Sequence, residues 1–262
     1  MCTQKLLQAI PKPCASQDFG SIFYNFCVDT PPAITSQEYL DNLYIYCIIY
    51  IQFSRPPRAL PVRRSRPDFQ PTNGDLPVTS PLKLLGISGS LRKASYNTAL
   101  LRTAGELLPA GMSLEIFDLS PIPMFDPDHE KPFPEAVANL RARLAQADAV
   151  LIATPEYNGS IPGVLKNALD WVSRPPQQPL NGKPVAIIGA STGNFGTLRA
   201  QLHLRQILTH IGALPLGKPE VLVARAEQVF DAEGRLVDET ARGFLRDSIA
   251  ALARWTQRLS MP

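Results

Sequence analysis

Short apolar runs alternate along this chain with longer segments in which apolar residues recur at helical spacing. The apolar runs predict strands near 83–88, 113–118, 149–154, 184–189 and 214–223. The longer segments predict helices near 97–108, 134–146, 161–173, 196–211 and 238–259. Regular alternation of strands and helices is typical of an α/β fold in which helices cover both faces of a parallel sheet.

The helix that begins near Ile161 shows how such an element would pack. Three of its apolar residues recur on one face and predict a stripe that contacts the sheet: Leu165, Leu169 and Val172. Trp171 lies beside this stripe. We expect it to belong to the core, with rim packing or a contact between subunits as the alternative.

A turn rich in serine and glycine, loop one (residues 89–97), joins the first strand to the first helix. Backbone N–H groups and the dipole at a helix N-terminus favour an anion. The side chains of loop one and of Thr98, the residue after it, add hydroxyl, amide and guanidinium donors, on Ser90, Ser95, Asn97, Thr98 and Arg92. Loop one lacks the Gly-Lys-Ser/Thr of a P-loop and the three spaced glycines of a dinucleotide-binding turn. It therefore suits a single terminal phosphate, although the same residues could simply cap the helix.

A second polar turn, loop two (residues 154–162), follows the strand near 149–154. Ligands of open α/β sheets lie beyond the carboxyl ends of the strands, so the two loops could hold opposite ends of one cofactor. Backbone N–H groups from Glu156 to Asn158 and the Asn158 amide suit the edge of an isoalloxazine ring, near which Tyr157 could pack. By itself, loop two could equally be an ordinary turn before a helix with Pro162 in its first turn.

Together these residues resemble the flavodoxin-like NADPH-dependent FMN reductases, and among them the chromate and quinone reductase branch. The resemblance covers about residues 82–259. It rests on Gly89-Ser-Leu-Arg-Lys-Ala-Ser-Tyr-Asn97, Pro155-Glu-Tyr-Asn-Gly-Ser-Ile-Pro-Gly-Val-Leu-Lys-Asn-Ala-Leu-Asp-Trp171, and Leu180-Asn-Gly-Lys-Pro-Val185 with His203-Leu-Arg-Gln-Ile-Leu208. The fold expected from it is a flavodoxin-like, doubly wound, five-stranded parallel sheet with strand order 2-1-3-4-5.

The resemblance also implies where FMN would bind. The expected cofactor-binding residues are Ser90, Leu91, Arg92, Lys93, Ala94, Ser95, Tyr96, Asn97, Pro155, Glu156, Tyr157, Asn158 and Ser191. Ser191 is the least direct of these, because the family often has a serine pair where this chain has Ala190 and Ser191. No side chain is expected to be a catalytic acid or base, since the flavin carries the chemistry. Glu156 is expected to position loop two.

The implied activity is that of an NAD(P)H-dependent, FMN-containing oxidoreductase that passes electrons to quinones, free flavins or metal anions such as chromate. Donor and acceptor would use one pocket in turn, so we expect ping-pong kinetics. Family members form dimers and tetramers, which predicts a homodimer or a homotetramer. The sequence does not decide between NADH and NADPH, because no reader of the ribose 2′ position can be identified. It does not identify the physiological acceptor either.

The alternative is an FMN-binding electron carrier without NAD(P)H turnover of its own. A carrier that docks basic partners would usually be markedly acidic. Residues 81–262 contain 19 Lys plus Arg against 17 Asp plus Glu, a net charge of +2. This near-neutral charge favours the reductase over the carrier. The same residues show no pattern of alternating aromatic and basic side chains, so no nucleic-acid partner is expected.

The first 80 residues differ in composition from the rest. Seven of the chain's 26 prolines lie between Pro56 and Pro81, among several arginines, which predicts a disordered linker. The apolar run from Leu43 to Phe53 is shorter than the roughly 17 residues of a spanning helix, so no membrane span is expected. We interpret residues 1–80 as a poorly ordered extension or a mis-assigned start, with a localising interaction module as a further hypothesis, and residues 81–262 as the reductase domain.

Cysteine and histidine usage limits the possible chemistry. All four cysteines, Cys2, Cys14, Cys27 and Cys47, precede the predicted reductase domain, so dithiol chemistry is excluded from that domain. The Cys and His spacings match no metal site. No secretory signal is recognisable at Met1, which favours a cytoplasmic location.

Overall fold

The computed structural model describes residues 81–260, so the predictions for residues 1–80 lie outside the described residues. The strands are β1 (Leu82–Ser88), β2 (Met112–Phe117), β3 (Ala149–Ala153), β4 (Pro184–Ala190), β5 (Leu214–Pro215) and β6 (Val221–Val223). The α-helices are α1 (Tyr96–Glu106), α2 (Glu135–Gln146), α3 (Gly163–Val172), α4 (Leu198–His210), α5 (Ala226–Val229) and α6 (Glu239–Leu259), and a 3-10 turn covers Pro127–His129. Within this part of the chain, no helix is both long enough and apolar enough to cross a membrane.

All strand pairings are parallel, and the strand order is β2-β1-β3-β4-β5, with β6 also paired to β4. The predicted order 2-1-3-4-5 and the flavodoxin-like fold class are confirmed. The order reverses between β1 and β3, which is the place where open α/β sheets bind their ligands.

The fifth strand differs from its prediction in one respect. Instead of one strand over 214–223, two short strands, β5 and β6, pair with opposite halves of β4. The intervening segment contains Gly217 and Pro219, and proline cannot donate to a strand ladder. The ladder next to β5 therefore ends at Leu216, whose N–H donates to the Val185 carbonyl at 2.7 Å.

The core forms two apolar layers, one on each face of the sheet. Every residue of the central strands β3 and β4 is buried, as expected for strands covered by helices on both faces. Helices α2, α3 and α4 contribute to one layer, and α1 and α6 to the other. The predicted stripe of α3 is buried, and Trp171 is only 1% exposed, so its assignment to the core is confirmed.

The segment between β2 and α2 is fixed to α3 by polar contacts. Asn167 accepts a hydrogen bond from Phe125 N at 2.7 Å and donates to the Pro123 carbonyl at 2.8 Å. Trp171 Nε1 donates to the same carbonyl at 2.8 Å, and the Phe125 ring packs edge-on against the indole. These bonds hold the backbone on both sides of Met124, whose side chain is 80% exposed.

Candidate functional site at the carboxyl edge of the sheet

Three loops leave the carboxyl ends of β1, β3 and β4, which are neighbours in the sheet: loop one, loop two and loop three (residues 191–197). The first two predicted loops lie in contact. Gly89 N donates to the Ala153 carbonyl at 2.8 Å, and a Cβ on Gly89 would lie 3.2 Å from Pro155 Cδ. The glycine therefore lets loop one lie directly against the start of loop two.

Backbone strain is concentrated at the same edge. In residues 81–260, three residues other than glycine have a positive φ: Asn158 (51°), Thr197 (70°) and Arg225 (47°). Asn158 is in loop two, Thr197 ends loop three, and Arg225 follows β6 closely. Asparagine tolerates this conformation, whereas it is strained for threonine and arginine. Such strain typically gathers at functional sites.

In loop one, two hydroxyl groups organise the backbone. Ser95 Oγ caps α1 by accepting hydrogen bonds from Asn97 N at 3.2 Å and Thr98 N at 3.3 Å. Ser90 Oγ accepts one from Arg92 N at 3.3 Å. Because both hydroxyls act as acceptors in these bonds, each retains its hydrogen for a further partner.

Arg92 is the charged group of loop one. Its Nη2 donates to the Ala94 carbonyl at 2.6 Å, and its guanidinium lies 5.4 Å from the centre of the Tyr96 ring. Both contacts are with uncharged groups, so they restrict the guanidinium without neutralising it.

The Asn97 side chain is buried and bonded to the backbone at the end of β4. It is 3% exposed; its Nδ2 donates to the Ala190 carbonyl and its Oδ1 accepts from Ala190 N, both at 2.9 Å. The β3–β4 ladder ends where Ala153 pairs with Ile188, so no β3 residue pairs with Ala190 on that side. The Asn97 amide takes the place of the missing strand and links loop one to the start of loop three.

Loop two contains a tight turn. Tyr157 and Ser160 exchange two backbone hydrogen bonds of 3.0 Å, and the residues between them, Asn158 and Gly159, both have positive φ. This pair of conformations suits an Asn-Gly sequence. The turn leaves Tyr157 52% exposed, and Pro162 is the N-cap of α3.

Glu156 links loop two to α4. Its Oε2 accepts hydrogen bonds from Arg199 N at 3.0 Å and Ala200 N at 3.3 Å, and its Oε1 accepts one from Arg199 Nε at 2.6 Å. Thr197 is the N-cap residue of α4 but makes no side-chain capping bond. The carboxylate supplies the cap instead, and its charge is favourable beside the helix N-terminus.

Loop three is packed closely on its neighbours. A Cβ on Gly196 would lie 2.4 Å from the Leu222 carbonyl carbon, so this position requires glycine. Thr197, 1% exposed, occupies the space beside Gly189, where a Cβ would lie 1.9 Å from Thr197 Oγ1. Ser191 is half-buried, and its Oγ lies 3.5 Å from the Gly193 carbonyl.

The structure thus brings the predicted site residues to one edge of the sheet. Leu91 to Ala94, Tyr157 and Asn158 are exposed; Ser90, Tyr96, Glu156 and Ser191 are partly exposed; Ser95, Asn97 and Pro155 are buried. Sequence reasoning missed two links: that of Arg199 to Glu156, 43 residues away along the chain, and that of Ala190 to Asn97, 93 residues away. The patterns used to find the loops carry no signal for these pairs.

The loops at this edge carry exposed apolar side chains, which we call the apolar rim. Each loop that follows one of the first four strands carries one large apolar residue that is exposed: Leu91 (56%), Met124 (80%), Tyr157 (52%) and Phe195 (62%). Exposed apolar groups gathered at one edge mark a surface that can contact an apolar ligand.

Comparisons with known proteins agree with this arrangement. Residues 82–228 match the family model described as NADPH-dependent FMN reductase. The chain is 53% identical over 183 residues to an NAD(P)H-dependent FMN reductase of Pseudomonas aeruginosa, with 70% of this chain and 99% of that protein covered. It is 39% identical over 188 residues to a quinone reductase of Escherichia coli K12, with 70% of this chain and 100% of that protein covered.

A solved structure of FerB, a flavoenzyme NAD(P)H:(acceptor) oxidoreductase from Paracoccus denitrificans, superposes with a TM-score of 0.63 at 34% identity. The match covers 68% of this chain and 98% of FerB. Residues 82–228, which match the family model, contain all three loops. The chain therefore belongs to the NADPH-dependent FMN reductase family.

Proposed function

We propose that the chain is an NAD(P)H-dependent, FMN-containing oxidoreductase that passes electrons to quinones, with free flavins and metal anions such as chromate as further acceptors. One observation carries the proposal. Three loops leave the carboxyl ends of adjacent strands; Asn97 bonds loop one to the start of loop three, and Glu156 bonds loop two to α4, the helix that follows loop three. Loop one presents unused donors at this edge. The names of the relatives, which specify NAD(P)H, FMN and quinone, support the same activity.

The donor chemistry of the loops fits FMN. In loop one, the hydroxyl hydrogens of Ser90 and Ser95 and the guanidinium of Arg92 suit a phosphate dianion. In loop two, the Tyr157 N–H is taken by Ser160, whereas those of Glu156 and Asn158 have no hydrogen-bond acceptor among residues 81–260. These two N–H groups and the exposed Tyr157 ring suit the edge and face of an isoalloxazine.

Asn97 would act indirectly. Since its amide is buried and bonded to Ala190, it would hold loop one and Ser191 at a fixed separation rather than contact the phosphate. The other phosphate-binding candidates remain those proposed from the sequence.

The Glu156–Arg199 pair would control charge beside the ring. FMN, when bound, would supply the two-electron transfer between reduced nicotinamide and acceptor. An unpaired carboxylate in loop two would oppose the arrival of electrons there. The Arg199 guanidinium, 2.6 Å from the carboxylate, compensates that charge while the carboxylate positions the loop.

The apolar rim supports quinones as the preferred acceptors. A quinone with a hydrocarbon body can contact exposed side chains such as Met124 and Tyr157 and remove apolar surface from water. Chromate, a hydrated anion, gains nothing from such contacts. We expect both to be reduced, with quinones giving the higher kcat/KM.

The test is the visible spectrum of the purified chain, reconstituted with FMN, before and after anaerobic addition of NADPH or NADH. Bleaching of the flavin band and its recovery on adding a quinone are expected. Bound FMN that stays oxidised with both nucleotides would indicate the electron carrier instead, and failure to bind FMN would contradict the site.

Initial rates test the order of the reaction. Because donor and acceptor would occupy the same edge in turn, double-reciprocal plots at several quinone concentrations are expected to be parallel. Intersecting lines would require both substrates to be bound at once and would contradict the ping-pong proposal.

A further inference from the structure

Asn194, in loop three, and Arg225, just after β6, form a second pair of donors at the carboxyl edge. Arg225 Nε donates to Asn194 Oδ1 at 3.1 Å, and Arg225 N donates to the Gly193 carbonyl at 3.1 Å. Both residues are exposed. Because the amide oxygen of Asn194 is used by the guanidinium, the pair turns only donors outward: the amide Nδ2 and the guanidinium Nη groups.

The charge of Arg225 is not compensated nearby. Among the described residues, no carboxylate oxygen lies within 4.0 Å of its side-chain nitrogens. Arg199, by contrast, is paired with Glu156 at 2.6 Å. Arg225 therefore resembles Arg92 of loop one: each guanidinium is oriented by a neutral oxygen and keeps its full charge for an external anion.

The backbone at Arg225 gives no reason for an arginine. Its φ of 47° and ψ of 50° lie in the left-handed region, which glycine adopts without strain. An arginine occupies this position although residues with a side chain disfavour the left-handed conformation. Strain of this kind is typical of positions retained for binding.

The proposed reaction needs two anionic ligands. FMN carries one phosphate, for which loop one offers Arg92. The reduced nicotinamide nucleotide carries a diphosphate, and NADPH carries a 2′-phosphate as well. We infer that Arg225 and Asn194 bind a phosphate group of the nicotinamide nucleotide. This inference rests on the proposed function, which supplies the second ligand.

The test compares Arg225→Gln with Arg246→Gln in the full chain loaded with FMN. Arg246 is an exposed residue of α6, and neither a hydrogen bond nor an ion pair involves its side chain in residues 81–260. Both variants lose one positive charge, so they share any change in the overall field of the protein. Calorimetry measures the dissociation constants of NADP⁺ and NAD⁺. Initial rates at a fixed quinone concentration give KM and kcat for NADPH and NADH.

For Arg225→Gln we expect the dissociation constant and KM of the nucleotide to rise about tenfold, as for loss of a charge-assisted hydrogen bond, with kcat and FMN affinity unchanged. An effect on NADP⁺ and NADPH alone would assign the 2′-phosphate, and an equal effect on both nucleotides the diphosphate. Arg225→Lys should recover part of the affinity. Unchanged constants in Arg225→Gln, or equal changes in Arg246→Gln, would overturn the inference.

Arg225→Gly separates binding from a structural role. Glycine relieves the left-handed strain, so we expect a higher Tm together with the same loss of nucleotide affinity. A purely structural arginine would instead lower the Tm and leave nucleotide binding intact, which would contradict the inference. Because NADP⁺ binding is measured without turnover, a failure of the proposed reductase activity would be visible separately, in flavin that does not bleach.

Discussion

The two edges of this sheet meet the same backbone requirement in different ways. At the amino edge, the left-handed positions that precede β2, β4 and β5 are all glycine: Gly111, Gly182 and Gly212, with φ of 83°, 70° and 78°. At the carboxyl edge, left-handed positions are also occupied by Asn158, Thr197 and Arg225. The amino edge avoids strain, whereas the carboxyl edge accepts it in order to present side chains.

Polar groups follow the same division. At the amino edge they are satisfied within the protein: Lys83 N donates to Asp148 Oδ2 at 2.7 Å, and the Lys183 ammonium donates to the Ala147 carbonyl. At the carboxyl edge, Ser90, Ser95 and Arg92 retain donors beyond their internal bonds. One edge of the sheet serves stability, and the other combines stability with binding, so substitutions at the two edges should have different consequences.

The largest expected effect is that of Asn97→Leu at the carboxyl edge. The change leaves the buried N–H and carbonyl of Ala190 without partners and should cost about 3 kcal/mol of unfolding free energy. It should also weaken FMN binding, because loops one and three lose their link. Denaturant unfolding and FMN titration measure the two effects. Asn97→Asp keeps one acceptor and should be intermediate; full FMN affinity in the leucine variant would contradict the linking role.

Gly212→Ala is the corresponding change at the amino edge. At φ of 78° a Cβ is strained, and it would lie 2.3 Å from Asn181 Oδ1, so we expect a loss of about 1 to 2 kcal/mol. FMN affinity should stay unchanged. Gly217→Ala is the control, because no heavy atom beyond its two chain neighbours lies within 4 Å of a Cβ placed there. Weaker FMN binding in Gly212→Ala would show that the two edges are not separable.

Arg199→Gln tests the charge balance at the carboxyl edge. Without its guanidinium, the Glu156 carboxylate is uncompensated beside the proposed ring position, so the two-electron midpoint potential of bound FMN should fall by about 20 mV. Spectroelectrochemical titration measures it. The double variant Glu156→Gln/Arg199→Gln should recover the potential; a shift that persists there would point to displaced loops rather than charge.

The smallest effect concerns Lys183 at the amino edge. Burial lowers the pKa of this ammonium, and the nearby Asp148 partly opposes that change. A folded-state pKa below the unfolded value of 10.5 means that the unfolded chain binds more protons between the two values. Stability from this group therefore rises as pH increases through that interval, and the rise should disappear in Lys183→Met. Thermal unfolding between pH 8 and about 10 measures it; an identical pH profile in the variant would contradict the shift.

Much of the fold was predictable because the signals are local. The five predicted helices lie within two residues of α1, α2, α3, α4 and α6 at each end, since each has an apolar face that recurs every three or four residues. The prediction of one strand over 214–223 missed its division into β5 and β6, because Gly217 and Pro219 interrupt the run of apolar residues only briefly. Membership of the family confirms the expected enzyme class and the FMN cofactor. Ping-pong kinetics, chromate reduction, oligomeric state and cytoplasmic location stay predictions.

The sequence by itself determined the order of the elements and the two loops that follow the first and third strands, because short-range periodicity and turn residues specify these. Only the tertiary structure decided which polar atoms face inward. Asn97 and Ala190 are 93 residues apart, Glu156 and Arg199 are 43 apart, and Asn194 and Arg225 are 31 apart. Such pairs form because a parallel sheet brings the carboxyl ends of separate strands together, and that geometry has no counterpart in local sequence patterns.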